Sequence, residues 1–96
     1  MGARPGGVTV HPTAVVDPSA VLGPGTTVWS HACIGAGAIL GEGCRVGHGA
    51  YIDRGVRIGA RCWIHNHACV YRPVELEDEV FVGPHAVFVN DPNPLP

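Results

Sequence analysis

The chain is 96 residues long, 46% hydrophobic and 15% charged, with a formal net charge of −2 when His is neutral. This length fits one domain with a narrow core, and the small negative charge does not favour nucleic acid or an anionic membrane as a partner. The sequence has no apolar run long enough to span a bilayer, and the N-terminal MGARPGG lacks the apolar region of a signal peptide. We therefore expect a cytoplasmic protein with no membrane partner.

Residues 1–9 show no repeat and are predicted to be irregular, whereas from residue 10 a period of six dominates. Every sixth residue from Val10 to Phe88 is aliphatic or aromatic, and the residue four positions later is small or β-branched. Six matches neither the helical period of 3.6 nor the strand period of 2, so it indicates a repeat architecture. The large positions are Val10, Val16, Leu22, Val28, Ile34, Leu40, Val46, Ile52, Ile58, Ile64, Val70, Leu76, Val82 and Phe88.

Each hexad is interpreted as a short strand and a turn, and three hexads as one triangular coil of 18 residues. Gly follows the large residue at positions 23, 35, 41, 47, 59 and 83. At these positions we expect that a tight turn requires either a positive φ or a residue without a Cβ. Residues 10–90 are predicted to form an all-β parallel β-helix of between four and five coils. Residues 91–96, DPNPLP, are predicted to leave the helix because proline cannot continue a strand ladder.

The four cysteines do not have the spacing of a zinc site or of a disulfide framework. Cys44 and Cys62 are 18 residues apart at the inward small position, so they are predicted to stack in adjacent coils of the core. Cys33 and Cys69 occupy outward positions. Reduced structural thiols are the favoured interpretation of all four.

Folding the sequence at 18 residues per coil brings all six histidines to one corner. His31, His67 and His85 share one position of that corner, and the last two lie in adjacent coils. Because neighbouring strands are about 5 Å apart, these two imidazoles are predicted to be that close. A solvated polar turn and a functional cluster both explain the corner.

The face that follows this corner has an outward column without charge. Such a stripe on a small chain indicates an interface, so we expect a homotrimer with a cleft at the subunit seam as the candidate site. The column consists of Val15, Cys33, Tyr51, Cys69 and Val87.

Three stretches, residues 64–71, 74–84 and 87–91, resemble the β-helical N-acetyltransferases that act on nucleotide-linked amino sugars. The resemblance implies a left-handed β-helix of hexapeptide repeats and a trimer with acetyl-CoA as co-substrate in the groove between subunits. Relatives usually carry Arg where this chain has Leu95 and continue with further coils. The chain is therefore expected to correspond to the N-terminal part of such an enzyme, with full activity depending on those coils.

The same resemblance implies direct transfer of the acetyl group from the thioester to a sugar amine. The Asn that matches Asn90 lies near the acceptor amine in this family, where a side-chain amide can bind the amine or the oxyanion. His67 or His85 is the candidate base. The residues predicted to contact the nucleotide sugar are His31, His65, Asn66, Tyr71 and Arg72.

Two other functions remain open at this point. One is a non-catalytic trimeric scaffold or remnant. The other is a zinc carbonic anhydrase of the same fold, because His31 and His67 are 36 residues apart, as two zinc ligands of that family would be. The third ligand should follow five residues later, but that residue is Arg72, so no metal is predicted.

Overall fold

Residues 2–89, which the computed structural model describes, form a stack of short strands joined by tight turns. A single 3-10 helix, Pro5–Gly7, lies between the first two strands of this region. The strands are β1 Gly2–Arg4, β2 Val8–Val10, β3 Val15–Val16, β4 Val21–Leu22, β5 Thr27–Val28, β6 Cys33–Ile34, β7 Ile39–Leu40, β8 Arg45–Val46, β9 Tyr51–Ile52, β10 Arg57–Ile58, β11 Trp63–Ile64, β12 Cys69–Val70, β13 Glu75–Leu76, β14 Phe81–Val82 and β15 Val87–Phe88.

Strands that are three apart in the chain pair side by side, so the chain winds through three parallel sheets. The first sheet has the order β1-β2-β5-β8-β11-β14, in which β1 alone is antiparallel, the second β3-β6-β9-β12-β15 and the third β4-β7-β10-β13. Paired residues are 18 apart, as in Thr27 with Arg45 and Val28 with Val46. The predicted all-β fold of hexapeptide repeats in 18-residue coils is thereby confirmed, and the architecture is consistent with the predicted left-handed β-helix.

The core is a column of large and small residues inside the triangle. Large side chains such as Val28, Ile52 and Ile64 have no exposed surface. Four large positions in the first and last described coils are only half-buried because no further coil within residues 2–89 covers them. Those positions are Val16, Leu22, Leu76 and Phe88.

Glycine has two separate roles in the turns, and the one after the large residue is the second of the two expected alternatives, the absence of a Cβ. Gly41, which follows a large residue, does not have a positive φ; a Cβ there would lie 2.7 Å from the backbone nitrogen of Ala60 in the next coil. The positive φ falls two residues later in the turn, as at Gly55 with φ 69°, where a Cβ would meet no atom within 4 Å. The first glycine therefore permits close stacking of coils, and the second permits the turn.

Residues 2–9 are in strands and a 3-10 turn, whereas residues 1–9 were expected to be irregular. Strand β1 pairs antiparallel with β2 and aligns Gly2 with Val10 and Arg4 with Val8. Without β1, the edge of β2 would present unpaired backbone groups. Residues 2–4 carry no hexad pattern, but they can form a strand because they pair with this edge.

Cys44 and Cys62 lie inside the core of adjacent coils, as predicted. The Cys44 thiol donates a hydrogen bond to the Gly59 carbonyl at 3.1 Å, and the Cys62 thiol donates to the Glu77 carbonyl at 3.0 Å. Burial raises the pKa of the Cys44 thiol, so this group is a poor nucleophile.

Candidate functional site

The histidine corner is built by the turns that connect the first sheet to the second. In these turns His31, His67 and His85 adopt φ values of 58°, 58° and 62°, and Gly49 fills the same position of the intervening coil with φ 66°. This left-handed region is uncommon for residues other than Gly, although His is among those enriched there. The turn geometry therefore places these three side chains in one exposed column.

Four imidazoles form a continuous row along the corner, here called the histidine ladder and consisting of His31, His48, His67 and His85. Ring centroids are 5.4 Å apart between His31 and His48 and 5.0 Å between His48 and His67, both edge to face. His67 and His85 stack at 5.1 Å with 14° between their planes. The predicted spacing of about 5 Å between these two residues is thus confirmed.

His48 is the best-anchored member of the ladder, although the sequence did not single it out as a site residue. Its Nδ1 lies 2.7 Å from the Ser30 hydroxyl, and its backbone N–H donates to Asn66 Oδ1 at 3.0 Å. Ser30 precedes His48 by 18 residues, so the coil period was the signal that pointed to this pair. The arrangement couples a hydroxyl to an imidazole that can exchange its proton.

A cleft of about 290 Å³ opens beside the ladder on the first sheet. Trp63 forms one side and stacks on His65 with ring centroids 4.9 Å apart. The Arg45 guanidinium carbon lies 5.1 Å from the centroid of the Trp63 ring, and Phe81 meets that ring edge-on at 5.3 Å. This feature, the aromatic cleft, is lined by Trp29, Ser30, Gly47, His48, Trp63, His65 and Asn66.

Tyr71 and Arg72 lie at the next corner of the coil, so the structure does not bring them to the histidine ladder within one chain. The Tyr71 ring packs 5.5 Å from that of Tyr51. The backbone N–H of Arg72 donates to Asp53 Oδ2 at 3.2 Å, which lowers the pKa of the Asp53 carboxyl. Two of the predicted substrate contacts are therefore separated from the other three, which are His31, His65 and Asn66.

The uncharged column of the second sheet is accessible in the single chain. Val15 is 65% exposed and Val87 56%, while Cys33, Tyr51 and Cys69 are half-buried. Desolvation is the main cause that raises the pKa of Tyr51, and the hydrogen bond that the Tyr51 hydroxyl donates to Asp53 raises it further. A neutral phenol thus lies at the centre of this column.

Asn90 lies outside the described residues. Within residues 2–89, no three His, Cys, Asp or Glu side chains are grouped in a way that could hold a metal ion. The same part of the chain has no helix with the length and apolar character needed to cross a membrane.

Two stretches of the sequence match families of hexapeptide repeats. Residues 19–54 match the family described as bacterial transferase hexapeptide (six repeats), and residues 37–72 match the hexapeptide repeat of succinyl-transferase. The chain is a hexapeptide-repeat protein. No curated protein matches the sequence of this hexapeptide-repeat protein.

Solved structures of N-acetyltransferases share the fold of this hexapeptide-repeat protein. A mutant of perosamine N-acetyltransferase from Caulobacter crescentus, in complex with CoA and GDP-perosamine, is 30% identical over 88% of this chain and 49% of its own, with a TM-score of 0.64. PerB from the same organism, in complex with the same two molecules, is 28% identical over 88% and 49%, with a TM-score of 0.63. The acetyltransferase domain of PglB from Neisseria gonorrhoeae is 29% identical over 88% and 50%, with a TM-score of 0.53. The resemblance inferred from the sequence is confirmed, and this chain spans about half the length of these solved proteins.

Proposed function

We propose that this protein is an acyltransferase that moves an acetyl group from acetyl-CoA to the amine of a nucleotide-linked amino sugar. The observation that carries the proposal is the similarity, over 88% of the chain, to an N-acetyltransferase bound to CoA and GDP-perosamine. Acetyl-CoA acts as co-substrate, and no metal is part of the proposal. The co-substrates imply a cytoplasmic protein.

The chemistry requires little more than orientation and proton transfer. The neutral amine attacks the thioester carbonyl, a C–N bond forms and the C–S bond breaks, and CoA leaves as the thiol. The amine loses one proton, which a nearby base accepts and passes to the leaving sulfur. Holding the two substrates together can supply much of the rate enhancement.

The histidine ladder is the source of candidate bases. His67 and His85 are exposed imidazoles that substrate can reach, and an imidazole is suited to proton transfer near neutral pH. We assign Asn90 to the amine or the oxyanion. His31, His65 and Asn66 are assigned to contacts with the sugar nucleotide.

Tyr71 and Arg72 occupy a different corner, so they are assigned to a more distant part of a substrate. A guanidinium matches the geometry of a diphosphate, and a phenol can pack against a base. A homotrimer closed by the uncharged column of the second sheet would let residues of two chains share one substrate. The trimer is part of the proposal.

The proposal is tested by incubating the purified chain with acetyl-CoA and a panel of nucleotide-linked amino sugars, with the N-acetylated product measured by mass spectrometry. A fusion to the part of the Caulobacter crescentus enzyme that this chain does not match is assayed in parallel, because this chain spans 49% of that protein. We expect product from the fusion and weak sugar-nucleotide binding by the 96-residue chain.

Three substitutions test the roles in the active form. Asn90→Ala should lower turnover by about 10²- to 10³-fold if it serves the oxyanion. His67→Ala or His85→Ala should lower turnover by about 10²- to 10⁴-fold and alter the pH profile if that residue is the base. His11→Ala, at the same corner but outside the ladder, is the matched control. If no sugar is acetylated by a folded fusion, a non-catalytic scaffold is the better account.

A further inference from the structure

A missing side chain interrupts the column of rings at the start of the histidine corner. Trp29, Gly47 and His65 occupy the same position in three successive coils, as shown by the bonds from Trp29 N to Val46 O and from Gly47 N to Ile64 O. A Cβ at Gly47 would lie 2.6 Å from Asn66 Oδ1, so the Asn66 amide takes the place of that side chain. Asn66 and Gly47 both line the aromatic cleft, with Trp29 and His65.

Trp29 lines the aromatic cleft with an exposed indole ring. Among residues 2–89 the Trp29 ring pairs with no other aromatic ring and is 46% exposed, which leaves it available to a ligand.

The polar groups of the cleft suit the edge of a heterocycle. Ser30, His48 and Asn66 supply hydroxyl, imidazole and amide groups, and none of the lining residues is an acid, Lys or Arg. An amide offers a donor and an acceptor together, the pattern that nucleobase edges complement. The Arg45 guanidinium lies beside the cleft against Trp63, where it can meet a phosphate.

We propose that the aromatic cleft is a nucleobase-binding subsite in which the base stacks on Trp29 and its phosphate faces Arg45. This inference rests on the proposed function, in which both substrates are nucleotides and two base subsites are needed. The base can belong to the adenine nucleotide of CoA or to the nucleotide of the sugar substrate.

The test is calorimetric titration of the 96-residue chain with CoA in one arm and with UDP, GDP and dTDP in the other. Base–aromatic stacking is worth ~1–3 kcal/mol, so Trp29→Ala should weaken binding by about 5- to 150-fold, whereas Trp29→Phe should largely retain it. Ile39→Ala removes an exposed apolar side chain from the third sheet, away from the cleft, and serves as the control. Arg45→Gln should weaken binding of the nucleotides but not of the corresponding nucleosides.

Binding that depends on Trp29 supports the subsite, and the arm that binds identifies its source. Absence of binding in both arms, or equal binding by Trp29→Ala and the unmodified chain with folding verified by circular dichroism, overturns it. The two proposals fail separately. Nucleotide binding without any acetylated sugar contradicts the proposed function alone, and acetylation without a Trp29 effect contradicts the subsite alone.

Discussion

Replacing Gly41 with Ala should separate two coils that the native chain holds in contact. The added Cβ would lie 2.7 Å from Ala60 N and 2.8 Å from Gly59 C, which are backbone atoms that no rotamer change can remove. Relief to an ordinary 3.4 Å contact requires about 0.7 Å of movement. The same movement would stretch the 2.9 Å bond from Gly41 N to Ile58 O to about 3.6 Å, beyond hydrogen-bonding range.

The cost follows from these two effects. Overpacking costs ~1–3 kcal/mol and a lost hydrogen bond about 1 kcal/mol, so Gly41→Ala should lower the free energy of unfolding by ~2–4 kcal/mol. Gly55→Ala is the matched control, because it meets no atom within 4 Å and strains only the turn at φ 69°. That strain of ~1–2 kcal/mol is partly offset by the reduced entropy of the unfolded chain, worth about 0.4–1 kcal/mol.

Urea denaturation followed by circular dichroism measures both variants. With a slope of about 1–3 kcal/mol per M, the midpoint of Gly41→Ala should fall by on the order of 1 M relative to the unmodified chain, and that of Gly55→Ala by less. Equal midpoints for the two variants would refute the argument that glycine is required for coil contact rather than for turn conformation.

Three further outcomes are expected. Tyr51→Asp puts a charge into the proposed trimer seam and should cost about 3–5 kcal/mol per interface, so light scattering should show a shift from trimer to monomer; a stable monomer for the unmodified chain would end the trimer proposal. The Arg72 N–H lowers the pKa of Asp53 from its usual 3.8, so this carboxylate stabilises the fold above that pH. The unmodified chain should therefore have a larger free energy of unfolding than Asp53→Asn at pH 7, and this difference should shrink as the pH falls below about 4. A difference that does not depend on pH would contradict this role of Asp53. Thr26→Val removes the 3.0 Å bond from a buried hydroxyl to the Gly41 carbonyl and should cost about 1–3 kcal/mol in urea titrations, an effect that an unchanged midpoint would disprove.

The coil and its core were predicted well because both follow from the six-residue hydrophobic repeat. Recognising this repeat does not require knowledge of side-chain orientations. Hydrophobic residues at every sixth position leave few ways to bury them, and Ile34 and Ile52 are buried as expected. The strand β1 escaped prediction because residues 2–4 carry no hexad; an exposed edge of β2 determines their conformation.

The site was predicted less completely because it depends on contacts between coils. The pair of Ser30 and His48 requires both the 18-residue register and a particular side-chain orientation. Tyr71 and Arg72 are close to His67 in sequence, but strand β12 intervenes and carries them to another corner. The role of Asn90 stays a prediction.

The stack of coils also determines where the protein should open first. Each strand bonds only to the coil on either side, so a coil at the end can detach without disturbing the middle. Val46 and Ile52 are fully buried, whereas Val16 and Phe88 at the two ends are not. Amide hydrogen exchange should therefore be slowest near β8 and β9 and grow faster toward both ends. A ligand that binds across several coils would reduce this difference in exchange rate between the middle and the ends. Its binding would therefore slow exchange even at amides that it does not contact.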